Sequence, residues 1–381
     1  MNFQICHPGT TLTSFADTET DTGWQRQSDY SLTMATCLES LGLGAPIIQA
    51  PMAGVQNHRL AAAVCNAGGL GSLPAAMLSA SDLQAQLTAL KQATDRPFNV
   101  NFFCHAVPTP DAEREAAWRE ALKPCYQELG LDVDQATSGP GRVPFNHEAA
   151  DVLEAFRPAV VSFHFGLPAA DLVERVKSWG SRILSSATTV DEAIWLQAHG
   201  ADAIIAQGLE AGGHRGMFLT DDLSTQMGTF ALLPQIVQAV SIPVVAAGGI
   251  ASAAGVRAAK ALGAAGVQMG SAYLCSDEAS TSALHRAALQ SPAARHTALT
   301  NVFTGRPARG IVNRVMRELG PISPLAPAFP LATAAMAPLR AAAEAQGSSD
   351  FTPLWAGQNT AYLQSRSATA ITQDFIAAWL D

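Results

Sequence analysis

Residues 207–216 read Gln-Gly-Leu-Glu-Ala-Gly-Gly-His-Arg-Gly, so four glycines surround one central histidine, His214. Such a run suits a packed core poorly and predicts a backbone-flexible loop. A histidine there can titrate near neutrality, take up a proton or hydrogen-bond an anionic substrate. The plainer alternative is a ring that caps a loop carbonyl. His164, in Ser162-Phe163-His164-Phe165-Gly166, and His105 follow apolar runs, where a ligand contact and a satisfied structural group are both open readings. The remaining histidines fall in helical or terminal contexts and read as surface residues.

Two further places are rich in glycine. Gly248-Gly249-Ile250 opens a helical pattern that starts near Ser252, and Gly270-Ser271 follows the apolar run Gly266–Met269. Glycines before a helix let backbone N–H groups approach a phosphate, and the helix N-terminus adds a favourable dipole. Both are also consistent with ordinary turns that need glycine. In Phe98-Asn99-Val100-Asn101-Phe102-Phe103 the alternation puts Asn99 and Asn101 on one face, opposite Val100 and Phe102. A buried amide needs partners, which the edge of a flat polar ring such as a flavin would supply. Pro51-Met52-Ala53-Gly54 offers backbone and thioether contacts suited to the face of such a ring.

Short apolar runs must position these residues. They occur at 47–50, 69–73, 98–103, 160–164, 183–186, 203–206, 244–247 and 266–269, each followed by a helical spacing such as 58–66, 190–199 or 252–262. A helix capped by Ser81 and ending near Ala93 is expected among them. Near-continuous apolar strands separated by helices imply a parallel sheet covered on both faces. Eight such units between Pro46 and Gln290 favour a closed (β/α)8 barrel over an open doubly wound sheet. In that fold ligands bind where the strands end, and phosphates beside the last two strands. After Arg295 the strand signal stops. The expected organisation is an extension over 1–40, a barrel over 41–294 and a helical, Pro-interrupted segment over 295–381 packed on the barrel.

Composition narrows the function. The formal net charge of −9 argues against a nucleic-acid surface, which needs clustered Lys and Arg. Six scattered cysteines with no C-x-x-C pair read as reduced thiols of a cytoplasmic protein, mostly buried, and not as a disulfide or zinc framework. No ligand cluster for a metal is visible. The polar stretch before Tyr30 lacks the order of a signal peptide, and no run approaches the ~20 apolar residues of a membrane span.

The order and spacing of several segments carry a family resemblance. These are Pro46 to Gly54, Ala67 to Gly71, Glu210 to Gly216, Gly248-Gly249-Ile250, Gln268 to Ser271 and Leu354-Trp355-Ala356-Gly357-Gln358. Over residues 41–360 the chain resembles the nitronate monooxygenase family, formerly called 2-nitropropane dioxygenases. The resemblance implies an FMN-dependent TIM barrel. It implies His214 as catalytic base or substrate-anion contact and His164 as a second active-site histidine, with Phe163 or Phe165 walling the pocket. Asn101, Gln207, Gly212, Gly249, Gln268, Met269, Gly270 and Ser271 match FMN-contacting positions, with Gly248 in the phosphate turn and Met52 near the isoalloxazine. The implied reaction oxidises an alkyl nitronate of the propionate 3-nitronate type with O2 to a carbonyl compound and nitrite or nitrate, in a monomer or dimer. One departure stands out: relatives usually carry an amide where this chain reads Leu331-Ala332-Thr333-Ala334-Ala335. Two other activities fit the same residues, an NAD(P)H-dependent quinone or enoyl-thioester reductase on the same flavin barrel and a flavin-free phosphate-binding isomerase or aldolase.

Overall fold

A computed structural model describes residues 43–135 and 142–381; the extension expected over 1–40 lies outside the described residues. Its strands are β1 (Ile47–Gln49), β2 (Gly71–Pro74), β3 (Phe98–Phe103), β4 (Val160–His164), β5 (Arg182–Ala187), β6 (Ala203–Gln207), β7 (Gly213–His214), β8 (Val244–Ala247), β9 (Gly266–Met269), β10 (Thr297–Thr300) and β11 (Ala308–Ile311). All but β7, β10 and β11 form one parallel sheet in the order β1-β9-β8-β6-β5-β4-β3-β2. A parallel bridge between Ile48 and Leu70 joins its two ends. There Gln49 N donates to Leu70 O at 3.0 Å and Leu70 N to Ile47 O at 2.8 Å. That closure makes a barrel of what would otherwise be an open sheet.

Alternation along each strand fills both sides of the wall. Ile48, Leu70, Val160, Leu184, Ile205 and Val245 plug the barrel interior. Their neighbours Ile47, Ile204, Val244 and Val267 face outward against the helices. Each fully buried side chain of this size contributes about 1.5–3 kcal/mol. Asn99 and Asn101 share a face as expected, and both donate to Ser162 Oγ, at 2.9 and 3.0 Å.

The helices are α1 (His58–Asn66), α2 (Ala80–Ala93), α3 (Ala112–Glu128), α4 (His147–Phe156), α5 (Ala170–Ser178), α6 (Val190–Ala198), α7 (Thr229–Ala239), α8 (Ala253–Ala261), α9 (Ala283–Leu289), α10 (Arg314–Glu318), α11 (Thr333–Ala345) and α12 (Ala368–Leu380). Helix α2 starts two residues earlier than expected, because Ser79 and not Ser81 accepts from Asp82 N at 3.1 Å. The ring of helices is completed from an unexpected place. Helix α12 packs between α8 and α1, with Thr372 Oγ1 3.0 Å from Tyr273 OH. Local periodicity gives α9 the right pattern for an eighth barrel helix, but only tertiary packing decides which helix closes the ring.

The stretch after Arg295 holds the expected helices and also the two strands β10 and β11, which pair antiparallel with β7 in a second sheet ordered β10-β11-β7. Their sequences, Thr-Ala-Leu-Thr and Ala-Arg-Gly-Ile, lack the near-continuous apolar run of the barrel strands and so do not stand out in apolar periodicity. A second core joins this segment to the long excursion between β3 and β4. Trp118, Leu122 and Tyr126 of α3 bury against Phe303, Met316 and Leu339, and Tyr126 OH donates to Ala335 O at 2.6 Å.

Candidate functional site

A cavity of about 200 Å³ opens where the barrel strands end, lined by residues from nearly every strand-end turn and by the 355–359 loop. All of the expected site residues line it: Met52, Asn101, His164, Gln207, Gly212, His214, Gly248, Gly249 and the run Gln268 to Ser271. The cavity has two differently built ends.

At one end the walls are backbone. Gly248 and Gly249 take φ values of +113° and +71°, which only glycine adopts without strain. Among the described residues the N–H groups of Gly249 and Gly270 donate to nothing. Just beyond, Ser252 caps α8, accepting from Gly255 N at 3.3 Å. The wall is completed from far down the chain. Gly357 N donates to Ser271 Oγ at 2.8 Å, Gln358 N to Glu210 O at 2.9 Å and Asn359 Nδ2 to Gly249 O at 2.9 Å. Gly212 allows this approach, since a Cβ there would lie 2.5 Å from Ala356 C.

Between the ends sit acceptors without donors. Gln268 Oε1 is buried with no hydrogen-bond partner. Asn101 uses its Nδ2 on Ser162 and keeps its carbonyl oxygen unengaged. Met52 Sδ lies 3.6 Å from where a Gly270 Cβ would be. Free turn N–H groups, a phosphate-suited helix start, orphaned acceptors and a thioether wall fit a phosphorylated flat heteroaromatic cofactor.

The other end is made of side chains. The glycine-rich segment expected to be flexible is pinned: its residues Gly213 and His214 are β7, in register with Arg309 and Ala308, and Arg215 N donates to Pro307 O at 2.8 Å. His214 Nε2 lies 2.9 Å from Thr304 Oγ1, and its carbonyl accepts from Gln207 Nε2 at 2.9 Å and His164 Nε2 at 3.1 Å. Burial, then the cations Arg142 and Arg306 with the two neighbouring imidazoles, holds the His214 ring well below its ordinary range and therefore neutral.

His164 has both nitrogens engaged. A carbonyl only accepts, so Nε2 carries the proton and Nδ1, 3.0 Å from Ser186 Oγ, takes that hydroxyl's hydrogen. Burial lowers this ring to about 3. Gln207 likewise uses both ends of its amide on the β7 turn, since its Oε1 accepts from Gly216 N at 2.7 Å. These two side chains hold the backbone that carries His214.

Aromatic rings close the compartment. Phe165 and Phe329 stand 6.1 and 5.3 Å from the His214 ring, and Trp355 5.6 Å. Phe165 has a φ of +70°, a strained conformation for a non-glycine residue. Phe163 points the other way, into the helix-facing core.

Several participants escaped the sequence reading. His285 was expected at the surface but is buried, lines the cavity and has Nε2 3.1 Å from Trp355 O. Arg215 is 0% exposed and donates to Gln207 O and Gly208 O, both at 2.7 Å. Burial draws its guanidinium down to about 10. Thr333, in the segment where an amide was missing, accepts from Arg142 at 3.3 Å and donates to Phe303 O at 3.2 Å. The described cysteines serve packing: burial pushes the Cys65 thiol up to about 12 and raises Cys104, Cys125 and Cys275. Among the described residues no group of acids, thiols and imidazoles could hold a metal ion, and no helix is long and apolar enough to cross a membrane.

A closed parallel barrel whose strand ends gather glycine turns, a buried histidine and aromatic rings around one cavity defines a (β/α)8 enzyme. The chain belongs to the nitronate monooxygenase family, oxidoreductases that are typically flavin-dependent; the family's sequence pattern matches residues 36–377. It is 43% identical to a nitronate monooxygenase of Pseudomonas aeruginosa over 345 residues, 88% of this chain and 96% of that protein. A nitronate monooxygenase of Paraburkholderia phytofirmans is also 43% identical, over 88% and 92% of the two chains. Among solved structures, the nitroalkane oxidase from Streptomyces ansochromogenes superposes with a TM-score of 0.82 at 38% identity, covering 90% of this chain and 98% of that one. FabK from Thermotoga maritima follows at 0.67 and 25%, over 90% and 94%.

Proposed function

We propose that the protein binds FMN across the cavity and oxidises alkyl nitronates of the propionate 3-nitronate type with O2, releasing a carbonyl compound and nitrite or nitrate. The observation that carries this reading is a neutral His214 facing a compartment whose nearest charges are cations. Such a compartment suits a substrate that is an anion or becomes one.

In this reading the turn N–H groups of Gly249 and Gly270 hold the phosphate, and Gln268 and Asn101 accept from the cofactor's donors. When bound, FMN supplies an electron acceptor that O2 reoxidises. The protein's own work is proton handling and placement. A neutral His214 takes the Cα proton of a nitroalkane on a ring nitrogen. When the substrate arrives as a nitronate, the same ring donates a hydrogen bond to the nitro oxygens instead. Thr304 fixes the ring plane through Nε2. Phe103, Phe165, Phe329 and Trp355 keep bulk water from the reacting carbon, which strengthens the pull of the cations on the anion.

The test is oxygen uptake with propionate 3-nitronate measured beside NADH and NADPH oxidation. Rapid oxygen consumption on the nitronate, with no anaerobic bleaching of the flavin band near ~450 nm by either nicotinamide, is the expected result. Bleaching by NADH or NADPH, with little nitronate turnover, assigns the site to a reductase. A colourless protein removes the flavin altogether.

A further inference from the structure

We infer that Arg142 is a specificity residue that reads a second negative charge at the far end of the substrate, selecting nitronates with a carboxylate tail over those with an alkyl tail. The inference rests on the nitronate reading above for where the reacting end lies, and on the surroundings of Arg142 for the rest.

Arg142 is half-buried and lines the same cavity as His214. A cation withdrawn from water normally faces a carboxylate. Among the described residues Arg142 has none: its guanidinium makes one hydrogen bond, from Nη1 to Thr333 Oγ1 at 3.3 Å. The adjoining residues 136–141 read Ala-Thr-Ser-Gly-Pro-Gly and contain no acid. The other arginine near the site differs. Arg306 does not line the cavity; it lies 4.1 Å over the Phe165 ring, donates to Met217 O and has the acids Asp221 and Glu192 in its field.

Geometry keeps the two groups close. The ring of Phe329 is a common neighbour, 5.5 Å from the Arg142 guanidinium carbon and 5.3 Å from the His214 ring centroid. Because both groups lie against this one ring and both line the cavity, a short dianion with its nitronate group at His214 can present its far carboxylate to Arg142. Thr333 and the ring hold the guanidinium, leaving most of its five N–H donors for a carboxylate. His105 fixes the backbone beneath it, with Nε2 3.0 Å from Arg142 O.

The test compares propionate 3-nitronate with propyl-1-nitronate, which carries a methyl group in place of the carboxylate, on the FMN-loaded wild type and on Arg142→Met and Arg142→Lys. Wild type is expected to favour the carboxylate substrate in kcat/KM. Arg142→Met should lose about 10- to 100-fold on it through KM, as expected for one charged hydrogen-bonding partner, and a clearly smaller factor on the alkyl nitronate, which loses only the longer-range pull of the cation. Arg142→Lys should recover part of the loss. Calorimetric titration with succinate, an unreactive dianion of similar length, gives a second reading, and its affinity should fall by a similar factor in Arg142→Met. Equal losses on both nitronates, or unchanged succinate affinity in a variant that retains flavin, overturn the assignment. If wild type oxidises neither nitronate, the proposed reaction fails while the succinate titration still decides Arg142.

Discussion

The two ends of the cavity are made of different material. The phosphate-suited end is backbone: N–H groups of Gly249 and Gly270, a capped helix start and the 355–359 loop. The His214 end is side chain: imidazole, guanidinium and phenyl rings gathered from β3, β4, β7 and two long excursions. Backbone sites tolerate change in most side chains but not in glycine. Side-chain sites can be retuned one residue at a time. A shared cofactor with variable substrates fits that division.

Substitutions at each end should fail in different ways. The largest effect is expected from His214→Asn, which keeps a polar group of similar reach but removes the ring proposed as base. Turnover on neutral nitroalkanes should drop ~10²–10⁴-fold, and less on preformed nitronates, while flavin content after gel filtration stays at the wild-type ratio. Unchanged turnover on both forms removes His214 from the chemistry. Gly249→Val should do the reverse. A β-branched side chain at φ +71° costs about 1–3 kcal/mol in strain, and its Cβ would meet Glu210 Cβ at 3.4 Å. Flavin retention should weaken by ~10-fold or more, and full occupancy would show that this turn does not hold the phosphate.

The side-chain end also predicts an acid weakness. His164, His214, His285 and His105 all have folded-state values below the ordinary one, at about 3 for His164 and about 4 for His285, chiefly through burial. Below about pH 6.5 the unfolded chain binds protons that the folded chain refuses, so stability falls with pH until the folded values are reached. At pH 5.5 the His164 and His285 rings each cost about 1.4 kcal/mol, His105 and His214 act in the same direction, and denaturant midpoints should drop steadily from pH 7 to pH 5. A flat profile would mean these rings are more solvated than their packing indicates. The smallest change is expected from Ser186→Ala, which strips His164 of one support. Loss of one neutral hydrogen bond, about 0.5–1.5 kcal/mol, should raise KM a few-fold and leave flavin binding intact.

The same division explains what could be read from the chain itself. The barrel was legible because eight buried strands repeat the same apolar signature, and the glycines of the phosphate end fall at fixed places in that repeat. The His214 loop was half legible. Its composition marked it as special but suggested flexibility, because the strand that pins it, Ala308–Ile311, is four residues of no distinctive pattern. Arg142 and Phe329 gave no local signal at all. An arginine beside a Gly-Pro stretch and a phenylalanine before a proline look like loop residues until the second core brings α3 and α11 together. Phe163 and Phe165 flank His164 and were indistinguishable by spacing; Phe165, at a positive φ, lies beside the His214 ring while Phe163 packs in the helix-facing core.

The hydrogen bond from Asn359 to Gly249 spans 110 positions of sequence. It ties a barrel turn to a segment made much later in synthesis. As the chain leaves the ribosome, all eight barrel strands emerge before Trp355 does, and α12, which seals the ring of helices, emerges later still. The barrel can begin to fold while the cavity lacks a wall. A cofactor that needs the 355–359 loop is therefore captured only once that loop has followed all eight barrel strands out, and a product clipped ahead of the loop would begin to fold and stay unloaded.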